Sequence, residues 1–248
     1  MKKRFIAGFM ALAVVLAPCA EAQAMLISAD DPQEANVLAL GSETAAVIDA
    51  NGSLWTWGTN EWGPLGNGTQ KNSFVPTKIM NDVKSVYMSN DTAAALKKDG
   101  SLWTWGSNIY GNLGNGTDTY SLKPVKVLDN VKYYYHDYSA PAAIKTDGSL
   151  WMWGGNYYGN LGNGTTEPTN APIKVMNNVK SVVVGNCGET AAIKTDGSLW
   201  MWGSNDYGQF GNGTTESSFV PIKIMDGVKS VQGSQLTTAV LKEDNSLW

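Results

Sequence analysis

The chain has 248 residues, 18 Lys and Arg against 22 Asp and Glu, a formal charge of −4, and 10% aromatic residues. Arginine occurs only at Arg4, so the rest of the chain has no guanidinium fork for phosphate or guanine, and this excludes a nucleic-acid grip as its main role. Ten Trp and ten Tyr supply large apolar area for packing, and 27 Gly point to turn-rich β structure rather than helices.

The first element is an export signal. Lys2, Lys3 and Arg4 form a basic start, and an apolar stretch from Phe5 to Ala17 follows that is too short to span a bilayer. Ala22-Gln23-Ala24 fits the small-x-small cleavage pattern, which places the cut after Ala24, with residues 25–35 as a short linker. A lipoprotein signal acylated at Cys19 is the rival reading, and Pro18 directly before that cysteine fits it poorly. Without residues 1–24 the basic count falls from 18 to 15 and the acidic count from 22 to 21, leaving about −6. Cys187 is then the only thiol, so no intramolecular disulfide forms and stability must come from packing. The remainder is expected to be secreted or cell-surface, with no membrane span.

One phrase then recurs. Gly52-Ser53-Leu54-Trp55, Gly100-Ser101-Leu102-Trp103, Gly148-Ser149-Leu150-Trp151 and Gly197-Ser198-Leu199-Trp200 stand 48 or 49 residues apart, and Asn245-Ser246-Leu247-Trp248 is a fifth copy. A fixed period in this range marks stacked supersecondary units, propeller blades among them. In the fourth copy Lys180–Gly185 reads as one strand and Thr190–Lys194 as a second. Asp196-Gly197 reads as a two-residue type I′ turn, followed by a third strand through Leu199–Gly203. A glycine-rich loop then leads to a fourth strand at Pro221–Met225. Four antiparallel strands per period describe an all-β propeller with units near 36–83, 84–131, 132–179 and 180–227, and a partial unit at 228–248.

Within each unit the two tryptophans of Trp-x-Trp-Gly point to one face of the third strand, where burial between blades stabilises by several kcal/mol each. Alanine pairs on the second strand (Ala94-Ala95, Ala142-Ala143, Ala191-Ala192) suit the crowded centre of a ring. Lysines in phase, Lys78 and Lys84 or Lys126 and Lys132, are expected around the fourth strand, where charge discourages edge-to-edge association.

The unit Gly-Ser-Leu-Trp-x-Trp-Gly-x-Asn-x-Tyr-Gly-x-Leu-Gly-Asn-Gly-Thr resembles the repeat of the regulator of chromosome condensation family, in the style of its bacterial exported members, over essentially all of residues 36–248. The closing Trp-Asp of WD repeats and the Gly-Gly doublet of kelch repeats are absent. The resemblance implies a seven-bladed ring. Seven units at a spacing of 48 come to about 336 residues, so the sequence is expected to be part of a longer ring. The family's usual histidine before the second strand is missing from Ser42-Glu43-Thr44, Asn90-Asp91-Thr92 and Gly188-Glu189-Thr190. No match to the wedge that eukaryotic members use on their GTPase is found, and exchange activity is not carried over. The photoreceptor branch needs a Gly-Trp-Arg-His-Thr phrase, which a chain without further arginine lacks. The compatible branch is secreted and bacterial, and it includes a propeller that inhibits β-lactamases by protein–protein contact.

Catalysis, cofactors and metals find no support in the residues. His136 is the single histidine, with no nucleophile setting beside it. Asp99, Asp147, Asp196 and Asp244 are turn residues, and no His, Cys and carboxylate cluster has ligand spacing. The Asn-Gly-Thr triplets at Asn67, Asn115, Asn163 and Asn212 read as turns rather than glycosylation sites. Two groups remain as candidate binding residues. Tyr133-Tyr134-Tyr135-His136-Asp137-Tyr138 breaks the repeat consensus, so Tyr134, Tyr135, His136 and Tyr138 are candidate anchors. The periodic loop aromatics Trp62, Tyr110, Tyr158 and Tyr207 are the other, with a structural role as their alternative. The expected partner is a protein, and carbohydrate or cell-wall binding through exposed tyrosines is the alternative.

Overall fold

The computed structural model describes residues 36–248 except 90, 136–139, 186 and 234–236. The signal segment, the linker, Cys19, His136 and Tyr138 therefore lie outside the described residues. Every regular element among the described residues is a strand. β1 (Leu38–Leu40), β2 (Thr44–Ile48), β3 (Leu54–Gly58) and β4 (Ser73–Met80) form the first sheet. β5 (Val83–Met88), β6 (Thr92–Lys97), β7 (Leu102–Gly106) and β8 (Ser121–Leu128) form the second. β9 (Val131–Tyr135), β10 (Ala142–Lys145), β11 (Leu150–Gly154) and β12 (Thr169–Met176) form the third. β13 (Val179–Val184), β14 (Glu189–Lys194), β15 (Leu199–Gly203) and β16 (Ser218–Met225) form the fourth. β17 (Val228–Gly233) and β18 (Thr238–Lys242) begin a fifth. Each sheet is an antiparallel meander in chain order, as expected of propeller blades.

Neighbouring blades meet through their first two strands, β1 and β2 against β5, β10 against β13, and β13 and β14 against β17. The first strand is therefore innermost and the fourth outermost. This corrects half of the lysine expectation. Lys78 and Lys126 lie on fourth strands, whereas Lys84 and Lys132 stand on the innermost strands, with their side chains exposed near the strand start. The alanines behave as expected: Ala94, Ala95, Ala142, Ala143 and Ala192 are fully buried where the blades converge.

The hairpin between second and third strands differs from the type I′ turn. Gly100 N–H donates to the Lys97 carbonyl and Lys97 N–H to the Ser101 carbonyl, with only Gly100 in the left-handed region at φ 81°. This is a type I turn followed by a glycine bulge, so Asp99 keeps an ordinary backbone and its side chain is free to act. Asp99 Oδ1 accepts from Ser101 Oγ at 2.6 Å, and Ser101 Oγ accepts from Trp103 Nε1 at 2.9 Å. The same relay recurs through Asp147, Asp196 and Asp244. In the first blade Asn51 takes the turn position, and Asp49 bonds Trp55 Nε1 directly at 3.0 Å.

The two tryptophans of each third strand have different fates, which refines the expectation of joint burial. The first, Trp103, Trp151 or Trp200, is half-buried and bonded to its own hairpin. Lys145 and Lys194 lie over the Trp151 and Trp200 rings at 5.0 and 5.4 Å. The second, Trp105, Trp153 or Trp202, is fully buried against the preceding blade. Its Nε1 donates to the carbonyl of Pro64, Asn112 or Asn160 in that blade's loop, at 2.7, 2.9 and 2.8 Å. Gly66, Gly114 and Gly162 lie flat on those rings, where a Cβ would collide with the indole. Trp57, with no described blade in front of it, is only half-buried. Phe74 on the same open face is 87% exposed, whereas its counterpart Phe219 packs over Gly159 of the blade before.

Two measurements follow from these roles. Trp153→Ala should cost about 3–5 kcal/mol of unfolding free energy in urea, and Trp151→Ala about 1–2 kcal/mol; equal costs would contradict the division of labour. Hydrogen bonds from serine hydroxyls and backbone N–H groups hold the carboxyls of Asp99, Asp147, Asp196 and Asp244 below their ordinary value. Because the folded value is the lower one, their stabilisation is present above the unfolded carboxylate value, about pH 4, and is lost as pH falls below it. The thermal midpoint should drop in that acid range, and replacing the four Asp by Asn should flatten the drop.

Candidate functional site

The long loop between third and fourth strands is organised by one buried asparagine per blade: Asn60, Asn108, Asn156 and Asn205. Asn156 Nδ2 donates to Asn163 Oδ1, Thr165 O and Glu167 O at 3.1, 2.9 and 3.0 Å, while its Oδ1 accepts from Leu161 N at 2.9 Å. Both ends of the amide are thus satisfied, and a loop without regular structure gains a single shape. These asparagines were not singled out from the sequence, although their in-phase position in the Trp-Gly-x-Asn phrase was a usable signal. Asn163 is one of the Asn-Gly-Thr triplets, and its Oδ1 accepts from Thr165 N and Oγ1 at 3.1 and 2.9 Å, as its turn reading expects.

This loop carries the periodic aromatics along one rim. Trp62, Tyr158 and Tyr207 are exposed and Tyr110 is half-buried. Tyr157, which the sequence reading passed over, is more exposed than Tyr158 and meets Tyr110 edge-on at 6.2 Å. The rings also lean on the next blade, Tyr158 resting where a side chain on Gly188 would stand.

Trp62 borders a cavity of about 500 Å³ between the first and second blades. Its wall includes Glu43, Glu61 and Asp91 together with Gln70 and Asn72, and no lysine among the described residues. Glu43 and Asp91 occupy equivalent positions immediately before the second strands of adjoining blades. The cavity therefore combines negative charge, amide side chains and one indole ring.

The tyrosine-rich stretch is placed differently from the expectation. Tyr134 is 1% exposed, stacked on Trp153 at 6.1 Å and edge-on to Tyr87 at 5.1 Å. It is a core residue rather than a partner anchor, because the alternation of β9 turns it toward the second blade. Tyr135 is half-buried, and its hydroxyl oxygen is enclosed without a hydrogen-bond partner among the described residues. Burial pushes that phenol well above its ordinary value. The structure brings neither tyrosine to the loop rim.

One register also changes. Glu189, paired with Gly203, stands where Thr44 pairs with Gly58 and Thr92 with Gly106. The alignment of Gly188-Glu189-Thr190 with Asn90-Asp91-Thr92 was thus displaced by one residue, because the fourth blade has one extra residue between its first and second strands.

The model of the Regulator of chromosome condensation (RCC1) repeat matches residues 51–96, 99–133, 147–191 and 196–240. The chain belongs to this repeat family. A second RCC1-repeat model matches residues 83–112 and 179–209. No curated protein matches the chain. Among solved structures, yeast RCC1 (Prp20) bound to Kap60 superposes with a TM-score of 0.66 at 21% identity, over 84% of this chain and 54% of that one. Prp20p from Saccharomyces cerevisiae, in a structure described with its binding to Gsp1p and histones, gives 0.65 at 21% over 84% and 56%. Human WBSCR16 gives 0.64 at 23% over 83% and 57%. At such identities the likeness concerns the propeller fold, and the chain spans little more than half the length of each.

The third-blade loop is tied together by Asn156, so Asn156→Ala should free the 156–167 segment. Amide exchange there should accelerate at least tenfold while β9 and β10 keep their protection; unchanged exchange would contradict the assigned role.

Proposed function

We propose that this chain is an exported propeller module that binds a protein partner through its loop rim, with the cavity beside Trp62 receiving a basic side chain. The observation that carries this reading is the combination of Glu43, Glu61 and Asp91 with the exposed Trp62 indole in one lysine-free cavity. Carboxylates draw a cation in, and an aromatic face beside them holds it once partly desolvated. Tyr157, Tyr158 and Tyr207 extend the same rim as rigid contact area of the kind that anchors interfaces. The RCC1-repeat structures resembled are described with protein partners: Kap60 in one case, Gsp1p and histones in another. Export rests on the basic start, the apolar stretch and the Ala22-Gln23-Ala24 pattern, and a bacterial source on the style of the repeat. The carbohydrate alternative rests on Tyr135 and Tyr138; Tyr135 is half-buried with its hydroxyl enclosed, and Tyr138 lies outside the described residues.

A lysine-rich peptide serves as probe, followed by tryptophan fluorescence. Glu43→Lys with Asp91→Lys should weaken its binding by about tenfold or more, and added salt should do the same. Trp62→Ala should weaken it without changing the salt slope. Binding that ignores all three residues, or prefers an acidic peptide, would sink the reading.

A further inference from the structure

Glu189 is the least expected side chain in the molecule. Its equivalents are Thr44 and Thr92 at the start of the second strands of two other blades. In the second blade the hydroxyl of Thr92 is matched by Ser89 Oγ at 2.7 Å. In the fourth blade the longer carboxylate enters the same confined space, and Glu189 is 2% exposed. Both of its carboxylate oxygens lack a hydrogen-bond partner among the described residues. The nearest donors are the backbone N–H groups of Glu189 itself and Cys187, and their effect is smaller than that of burial, which raises the carboxyl above its ordinary value.

The enclosure is specific. A Cβ on Gly185 would run into the carboxylate, and a Cβ on Gly233 of β17 would stand 3.7 Å from Oε1 and 4.0 Å from Val183. The neighbours are Gly185 just after β13, Gly233 of β17, whose position also faces Val183, and the paired Gly203 of β15. The loop of the third blade adds Tyr158 over Gly188. Cys187 and Tyr158 are the ionisable side chains nearby, and no charged group contributes to the shift of Glu189. A carboxylate with no counter-ion among the described residues and only two backbone N–H groups near it is costlier in such a place than a neutral acid.

We propose that ionisation of Glu189 loosens the inner end of the β13–β14 pair and its contact with β17, making the joint between the fourth and fifth blades responsive to pH. The bond at stake is Gly185 N–H to the Glu189 carbonyl, 2.8 Å, next to the Val184–Thr190 pairing. Its counterpart in the second blade is Ser89 N–H to the Thr92 carbonyl, 2.9 Å, where a threonine hydroxyl stands in place of the buried carboxyl. Because the folded value is raised, the joint is tightest below the unfolded carboxylate value, about pH 4.5, and weakens as pH rises toward the folded one, above which the loss is complete. This dependence opposes that of the turn aspartates.

The test compares amide exchange at Val184, Gly185 and Thr190 with that at Ser89 and Thr92 in the whole chain, across about pH 4.5 to 8. After correction for intrinsic rates, protection at the fourth-blade amides should fall several-fold with rising pH in the wild type. It should stay level in Glu189→Gln, and the second-blade amides should stay level in both. If Glu189→Gln does not fold, Glu189→Thr, which installs the residue found in the second blade, carries the same comparison. An equal fall in the variant, or the same fall at Ser89 and Thr92, would overturn the proposal.

Discussion

The fold hangs on one interaction repeated from blade to blade: a buried indole N–H that donates to a carbonyl in the loop of the blade before it. Trp105, Trp153 and Trp202 each bury a whole ring and satisfy its single donor in the same contact. The ring supplies apolar area, and the hydrogen bond fixes its rotation, so the angle between sheets is set at one point. Around it run backbone bonds from Gly68, Gly116 and Gly164 to the outer strand of the next blade, each 2.8 Å. A second set links the first strand to the preceding hairpin, as from Val83 N–H to the Gly52 carbonyl. Each blade thus meets its neighbour at hub, middle and periphery.

The loop that receives the indole is the loop that displays the rim aromatics. Asn60, Asn108, Asn156 and Asn205 hold its interior, so the carbonyl offered to the tryptophan and the ring offered to solvent share one rigid frame. Binding residues on such a frame lose little conformational freedom on contact. Blade packing and the display of the rim aromatics are therefore coupled through the same loop. One outward position differs in every blade, occupied by Glu61, Ile109, Tyr157 and Asp206, all exposed.

Departures from the repeat are where the blades acquire individual properties. The third blade puts Tyr133 and Tyr134 where the second has Ser85 and Val86, and Tyr134 stacks on Trp153 and meets Tyr87 edge-on. The fourth adds one residue and turns a threonine position into Glu189. The first blade swaps its turn aspartate for Asn51 and recovers the tryptophan bond through Asp49. The phrase is conserved from blade to blade in geometry more than in letters.

What the sequence determined by itself was the periodic part of the molecule. A recurring Gly-Ser-Leu-Trp phrase, β-branched runs and Asp-Gly turns suffice for four-stranded blades in chain order, because strand alternation and turn chemistry are local properties. The rim aromatics were legible for the same reason, being in phase with the repeat. Tertiary structure decided which of two tryptophans two residues apart meets the neighbouring blade, since only the packed pair of sheets distinguishes them. It also decided that Tyr134 is core, that Glu43 and Asp91 of different blades share a cavity with Trp62, and that Glu189 is sealed between strands. Each of those outcomes depends on residues more than 40 positions apart being brought to one place, and a local pattern carries no record of what stands opposite.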